Sequence, residues 1–249
     1  MLWSEAAGDG PRLVLVHGFT QTGRCWGPVA TDLATDHEVV RVDAPGHGRS
    51  AAAAAMVDGA ELLAATGGRA TYVGYSMGGR LCLHLALAHP ELVHALVLIG
   101  ATAGIDDVEQ RARRAADDEE LARRLERDGV DAFLQAWLSQ PLFAGVPEQA
   151  RCLDARRENT VAGLAASLRM AGAGAQEPLW DRLEALAMPV FVVAGGRDKR
   201  FGAIGRRLVV SIGANATLAV VPGAGHAAHL EAPAAFVALL HPWLAGHSR

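Results

Sequence analysis

The chain has 249 residues, 51% of them hydrophobic and 20% charged, enough to bury one large core, which excludes a wholly disordered protein. A formal net charge of −4 excludes a basic nucleic-acid face and leaves no acidic solvating tract. The three cysteines, Cys25, Cys82 and Cys152, form neither a Cys-x-x-Cys zinc motif nor a disulfide framework, so a cytoplasmic, reducing environment is expected.

Met1 to Pro11 lacks a basic start followed by an apolar stretch, so no signal peptide is expected. No apolar run approaches the roughly 18 residues of a membrane span. Short apolar runs predict strands at Leu13–Val16, Val39–Val42, Ala70–Tyr75 and Ala95–Ile99, then much later at Pro189–Ala194 and Thr217–Val221. Helical patterns fall between them at Trp26–Ala34, Val57–Thr66, Met77–His89, Gly202–Ile212 and Pro233–Leu244. This alternation predicts an α/β fold: a mainly parallel sheet covered by helices on both faces. From 104 to 176 the alternation stops. Helices are expected there at Asp106–Arg127, Val130–Leu138, Glu148–Arg157 and Thr160–Met170. We read residues 104–176 as a helical lid inserted after the strand ending near Ile99. Residues 1–103 and 177–249 form the core that it interrupts, with Gly172 and Gly174 as candidate hinge points.

Gly74-Tyr75-Ser76-Met77-Gly78 matches Gly-x-Ser-x-Gly, with a strand before it and a helix after it. Small residues two before and two after the serine let neighbouring backbone pass close. The hydroxyl then stands at the carboxyl edge of the sheet. A serine nucleophile or base needs a histidine, and that histidine needs an orienting carboxylate. Asp198 follows the strand at Pro189–Ala194, and His226 follows the strand at Thr217–Val221. Both therefore fall in loops at the carboxyl edge, where open α/β sheets carry their sites. Ser76, Asp198 and His226 are the expected catalytic residues, with His229 as the rival base. The oxyanion site needs two backbone N–H groups, which are expected from Met77 and from Phe19 in the His17-Gly18-Phe19-Thr20 loop.

Together the His-Gly-Phe loop, Asp43-Ala-Pro-Gly-His-Gly-Arg-Ser50, the serine corner and the terminal Ala-Gly-His resemble the α/β-hydrolase superfamily over nearly the whole chain. A narrower likeness lies in residues that the triad does not require. These are Tyr75-Ser-Met-Gly-Gly-Arg80, the Glu109–Arg114 segment, Trp137-Leu-Ser-Gln-Pro-Leu-Phe143 and Arg156-Arg-Glu-Asn159. They resemble the 2-succinyl-6-hydroxy-2,4-cyclohexadiene-1-carboxylate synthase family of menaquinone biosynthesis. The resemblance implies a lyase that eliminates pyruvate from a small polycarboxylate without cofactor or metal. It implies substrate contacts at Tyr75, Arg80, Arg114, Trp137, Phe143 and Arg156. Arg113 and Arg157 stand beside two of these positions, and a one-residue slip is open in each case. Only Lys199 among the 23 basic residues is a lysine, and arginine suits paired N–H donation to carboxylates. A serine hydrolase of esters or C–C bonds would use the same triad. It would gain little from three buried cations. Neither nucleic acid nor membrane is expected as a partner, and oligomeric state is left open.

Overall fold

The computed structural model describes residues 1–247. Seven strands form one sheet: β1 (Ser4–Ala7), β2 (Arg12–Val16), β3 (Glu38–Val42), β4 (Ala70–Tyr75), β5 (Val93–Ile99), β6 (Val190–Gly195) and β7 (Ala216–Val221). Their order is β1-β3-β2-β4-β5-β6-β7. Every pairing is parallel except that of β1 with β3. β1 is absent from the sequence reading for a physical reason. All four of its residues are exposed, and it has no apolar run to betray it.

The helices are α1 (Gly27–Leu33), α2 (Met56–Gly67), α3 (Met77–Ala88), α4 (Val108–Leu138), α5 (Leu153–Arg156), α6 (Val161–Ala171), α7 (Lys199–Ile212), α8 (Ala228–Glu231) and α9 (Pro233–His247). Leu63 of α2, Leu81 of α3 and Leu208 of α7 share a core with Val14 and Leu98 on one face of the sheet. Leu33 of α1 and Leu240 of α9 join Leu15 and Val97 on the other. Both faces are covered, so the strands read as continuous apolar runs rather than alternating ones.

Between β5 and β6 the chain leaves the sheet for α4, α5 and α6. These helices carry a small core of their own, built on Leu125, Phe133, Leu164 and Leu168. Asp107 caps α4 by accepting from Gln110 N–H at 2.8 Å, and Thr160 caps α6 by accepting from Gly163 N–H at 3.0 Å. The helix of α4 breaks at Gly129 (φ 79°), between the two helices expected from the sequence. The single helix expected over Glu148–Arg157 is instead a 3₁₀ turn at Glu148–Ala150 followed by α5. Cys152 separates the two in a left-handed conformation, φ 55°, that an α-helix does not accommodate.

The sheet order sets the place of the site. From β2 the chain steps to β3 on one side, then crosses to β4 on the other. The loops leaving β2 and β4 therefore face each other across a topological switch point. Val16 pairs with Gly74, so the loops that follow these two residues are neighbours.

Candidate active site

Ser76 joins β4 to α3 at φ 51°, a left-handed conformation that a non-glycine residue keeps only when its surroundings hold it. Its N–H donates to the Ile99 carbonyl at 2.8 Å. A Cβ at position 78 would stand 2.2 Å from the Val16 carbonyl oxygen, and one at position 74 would stand 2.6 Å from the Gly78 carbonyl oxygen. Both glycines of the motif are thus required by backbone contact.

Ser76 Oγ lies 3.3 Å from His226 Nε2, and His226 Nδ1 lies 3.0 Å from Asp198 Oδ2. An ionised carboxylate only accepts, so Nδ1 carries the proton and Nε2 accepts from the serine hydroxyl. Burial alone would raise the Asp198 carboxyl. The His226 and Phe201 N–H donors outweigh burial and hold it below its ordinary range. The rival His229 meets neither group. Its ring packs on Tyr75 at 4.4 Å and on Trp26 at 4.6 Å between centroids, and burial pushes its pKa down to about 3.

Above Ser76 opens a cavity of about 590 Å³, floored by the sheet edge and roofed by α4 to α6. That volume suits a small organic molecule. Phe19, Tyr75, Met77 and His226 line it from the sheet side. The Phe19 and Met77 N–H groups have no acceptor among the described residues. The Gly18 carbonyl accepts from His17 Nδ1 at 2.8 Å and from Gln21 N–H at 3.1 Å. In a planar trans peptide this turns the Phe19 N–H the opposite way. The Tyr75 ring closes the floor against His226.

The resemblance-derived arginines converge on this cavity. Arg80, Arg114 and Arg156 all line it. Arg80 donates to the Gln176 side-chain oxygen at 3.0 Å and to the Ala171 carbonyl at 2.8 Å. Arg156 donates to the Arg151 carbonyl at 2.7 Å and to the Thr20 hydroxyl. Both guanidiniums are buried, and these partners are all neutral. Burial, with the Arg114 charge nearby, brings Arg80 down to about 10, still fully charged at neutral pH. Arg114 pairs with buried Asp118 at 2.8 Å through Nε. The neighbours are set apart: Arg113 points to exposed Glu109, and Arg157 to Asp131 and Asp154 on the surface.

Trp137 and Phe143 form an aromatic wall with Phe19. Their centroids lie 5.3 Å apart for Trp137–Phe19 and 5.7 Å for Trp137–Phe143. The buried Trp137 Nε1–H has no partner among the described residues. Sequence reasoning gave no site role to Gln176, Asp118, Thr20 and Asn159, which hold the arginines. It also passed over Arg200 and Arg207, which line the cavity from α7. Position in the first turn of α7 could have signalled Arg200, two residues past Asp198.

Three buried histidines impose a pH dependence on stability. Burial lowers His17 to about 4, and His47 and His229 to about 3. Unfolded, each returns to about 6.5 and binds the proton that the folded state refuses. Their contribution is fully present above pH 6.5. It is lost as pH falls from there towards pH 4 for His17 and pH 3 for the other two. Each contributes up to about 1.4 kcal/mol per pH unit within its window. Denaturant unfolding at pH 7, 6 and 5 should show a steep drop; a flat profile would contradict neutral burial of these rings.

The alpha/beta hydrolase family model matches residues 13–239. The 2-succinyl-6-hydroxy-2,4-cyclohexadiene-1-carboxylate synthase of Enterobacter sp. (strain 638) is 36% identical over 241 residues, spanning 92% of this chain and 90% of the relative. The enzyme of the same name from Salmonella schwarzengrund (strain CVM19633) is 35% identical over 240 residues, spanning 91% of each. Among solved structures, MenH from S. aureus superposes with a TM-score of 0.93 at 24% identity, over 100% of both chains. A thermophilic esterase from Thermogutta terrifontis reaches 0.82, also at 24% identity, over 100% of this chain and 94% of that one. At that identity the structural likenesses speak for the fold, which both proteins share; the sequence relatives carry the finer assignment. The chain belongs to the alpha/beta hydrolase family and, within it, to the family of 2-succinyl-6-hydroxy-2,4-cyclohexadiene-1-carboxylate synthases.

Proposed function

We propose that this chain is the lyase of menaquinone biosynthesis that eliminates pyruvate from 2-succinyl-5-enolpyruvyl-6-hydroxy-3-cyclohexene-1-carboxylate. The product is 2-succinyl-6-hydroxy-2,4-cyclohexadiene-1-carboxylate. One observation carries the reading beyond family membership. Two buried guanidiniums, Arg80 and Arg156, face one cavity above Ser76 and hydrogen-bond to neutral groups alone, while the carboxylate near Arg80, Asp118, is engaged by Arg114. A buried charge without a counter-ion is costly, and a ligand with several carboxylates supplies the missing anions. Arg114, paired with Asp118 through Nε, adds a third guanidinium to the cavity wall.

In this reading 104–176 is the lid, and its residues Arg114, Trp137, Phe143 and Arg156 close over the substrate. His226 Nε2 takes the Ser76 proton, and the resulting alkoxide removes a proton from the substrate ring. Asp198 stabilises the imidazolium that forms. The negative charge passes to a carbonyl oxygen held by the Phe19 and Met77 N–H groups. The electron pair then shifts through the ring and breaks the carbon–oxygen bond to the enolpyruvyl group. That group leaves as an enolate, takes up a proton and becomes pyruvate. No cofactor or metal is needed for any of these transfers. Among the described residues no helix is long and apolar enough to cross a membrane. Three free thiols suit the cytoplasm, the compartment that we propose.

Purified protein given the enolpyruvyl substrate should release one pyruvate per turnover, read through lactate dehydrogenase and NADH consumption. Fast cleavage of short nitrophenyl esters without pyruvate release would assign the same triad to a hydrolase.

A further inference from the structure

Thr20 follows the oxyanion donor Phe19 directly, and its backbone is left-handed at φ 67°. For a β-branched residue this conformation is strained, so the fold must hold it. All three of its polar groups are held. The Thr20 N–H donates to His47 Nε2 at 3.3 Å, and His47 Nδ1 in turn donates to the Pro45 carbonyl at 3.0 Å. The Thr20 carbonyl accepts from Asn159 Nδ2 at 2.7 Å, and its hydroxyl accepts from Arg156. Two of the three ties therefore come from the lid, from residues more than a hundred positions away in the chain.

Asn159 is the centre of this arrangement. It is 4% exposed, and both Nδ2 hydrogens and Oδ1 of its side chain are engaged. Nδ2 donates to the Thr20 carbonyl and, at 2.8 Å, to the Arg156 carbonyl. Oδ1 accepts from the Gly48 N–H at 2.8 Å. One side chain thus joins the oxyanion loop, the end of α5 and the loop after β3. It does not line the cavity.

We propose that Asn159 is a positioning residue for the oxyanion hole, fixing the strained Thr20 corner so that the Phe19 N–H is aimed at the reacting oxygen only while the Arg156 end of the lid is seated. The proposal rests on the assignment of Phe19 as an oxyanion donor. Its consequence is a division of labour. Arg156 contacts the substrate carboxylate and serves binding. Asn159 touches no substrate, and its effect falls on the step in which negative charge develops.

The test compares Asn159→Ala and Asn159→Asp with wild type in pyruvate release and in the rate at which a fluorophosphonate labels Ser76, since both pass through charge in the same hole. Asn159→Asp preserves size and the Gly48 contact but cannot donate to the two carbonyls, so it tests the donors apart from the volume; labelling of the folded fraction keeps either variant informative. Both variants should lower kcat about tenfold or more, short of the 10²–10³-fold lost with a donor itself. KM should stay within about threefold of wild type and labelling should slow in proportion, both read well below each variant's own melting temperature, which a buried carboxylate facing two carbonyls lowers. A near-wild-type kcat in folded protein would overturn the proposal. So would a loss carried by KM alone, which would make Asn159 a support of substrate binding. If wild type labels but releases no pyruvate, the lyase reading falls while slower labelling of the variants still upholds the positioning role; equal labelling overturns it.

Discussion

Ser76→Ala should reduce pyruvate release by at least about 10³-fold while leaving the melting temperature within a few degrees of wild type. In the proposed mechanism the serine oxygen takes the substrate proton and links His226 to it. The ring nitrogen sits 3.3 Å from Oγ, and Asp198 holds its other side. Alanine leaves a gap that water can enter, but a water there lacks the fixed approach of Oγ. The backbone strain at φ 51° stays, because alanine bears the same Cβ. Stability therefore changes little. The comparison is steady-state turnover beside thermal unfolding of the same preparations. A variant retaining more than about a tenth of wild-type turnover would move proton abstraction to another group, with His226 acting directly as the first candidate.

Arg80→Ala should lower kcat/KM by about 10²- to 10³-fold, the ~3–4 kcal/mol expected when one partner of a buried, hydrogen-bonded charge pair is removed. The guanidinium stands one helical turn past Ser76. Gln176 and the Ala171 carbonyl fix it, and both lie where the chain returns from α6 towards the sheet. The substitution strips a carboxylate of its counter-ion and leaves Gln176 without its donor. Arg80→Lys should recover little, because an ammonium on a flexible stem cannot serve Gln176, Ala171 and a substrate carboxylate in one plane. Steady-state kinetics over a wide substrate range separates the binding and turnover parts. Wild-type kinetics in Arg80→Ala would make this residue a structural tie between lid and sheet, and the anion reading would lose its best-placed member.

The sheet and the serine corner were legible because their determinants are local. Strands buried on both faces write themselves as apolar runs, and the corner needs glycine at fixed offsets from the serine. Asp198 and His226 were legible as loop residues after strands. The choice between Arg113 and Arg114 was not, since it turns on which side of α4 faces the sheet. Buried Asp118 settles it by drawing Arg114 inward. Asn159, Gln176 and Thr20 stood in segments already singled out, but nothing local assigned them a role. Their contacts join segments as far apart as 139 positions, and nothing in the spacing of a single chain records such a meeting. β1 escaped notice for the opposite reason: an exposed edge strand needs no apolar pattern. The helix expected over Glu148–Arg157 failed at Cys152, where a left-handed residue turns the chain so that Arg156 enters the cavity.

The break in α4 has a consequence for redesign. Arg114 lies before Gly129 and Trp137 after it. Within a continuous helix one inserted residue would rotate everything beyond it by about 100° and remove the tryptophan from the pocket. At Gly129 the helical phase is already interrupted; a Cβ there would meet nothing within 4 Å, but the φ of 79° keeps the position for glycine. With that glycine kept, insertions beside this joint are expected to disturb the two helices less than insertions within either. The cationic and aromatic walls of the pocket are thus separately adjustable parts. Their spacing can be retuned for acids of other lengths while the sheet and its serine stay fixed.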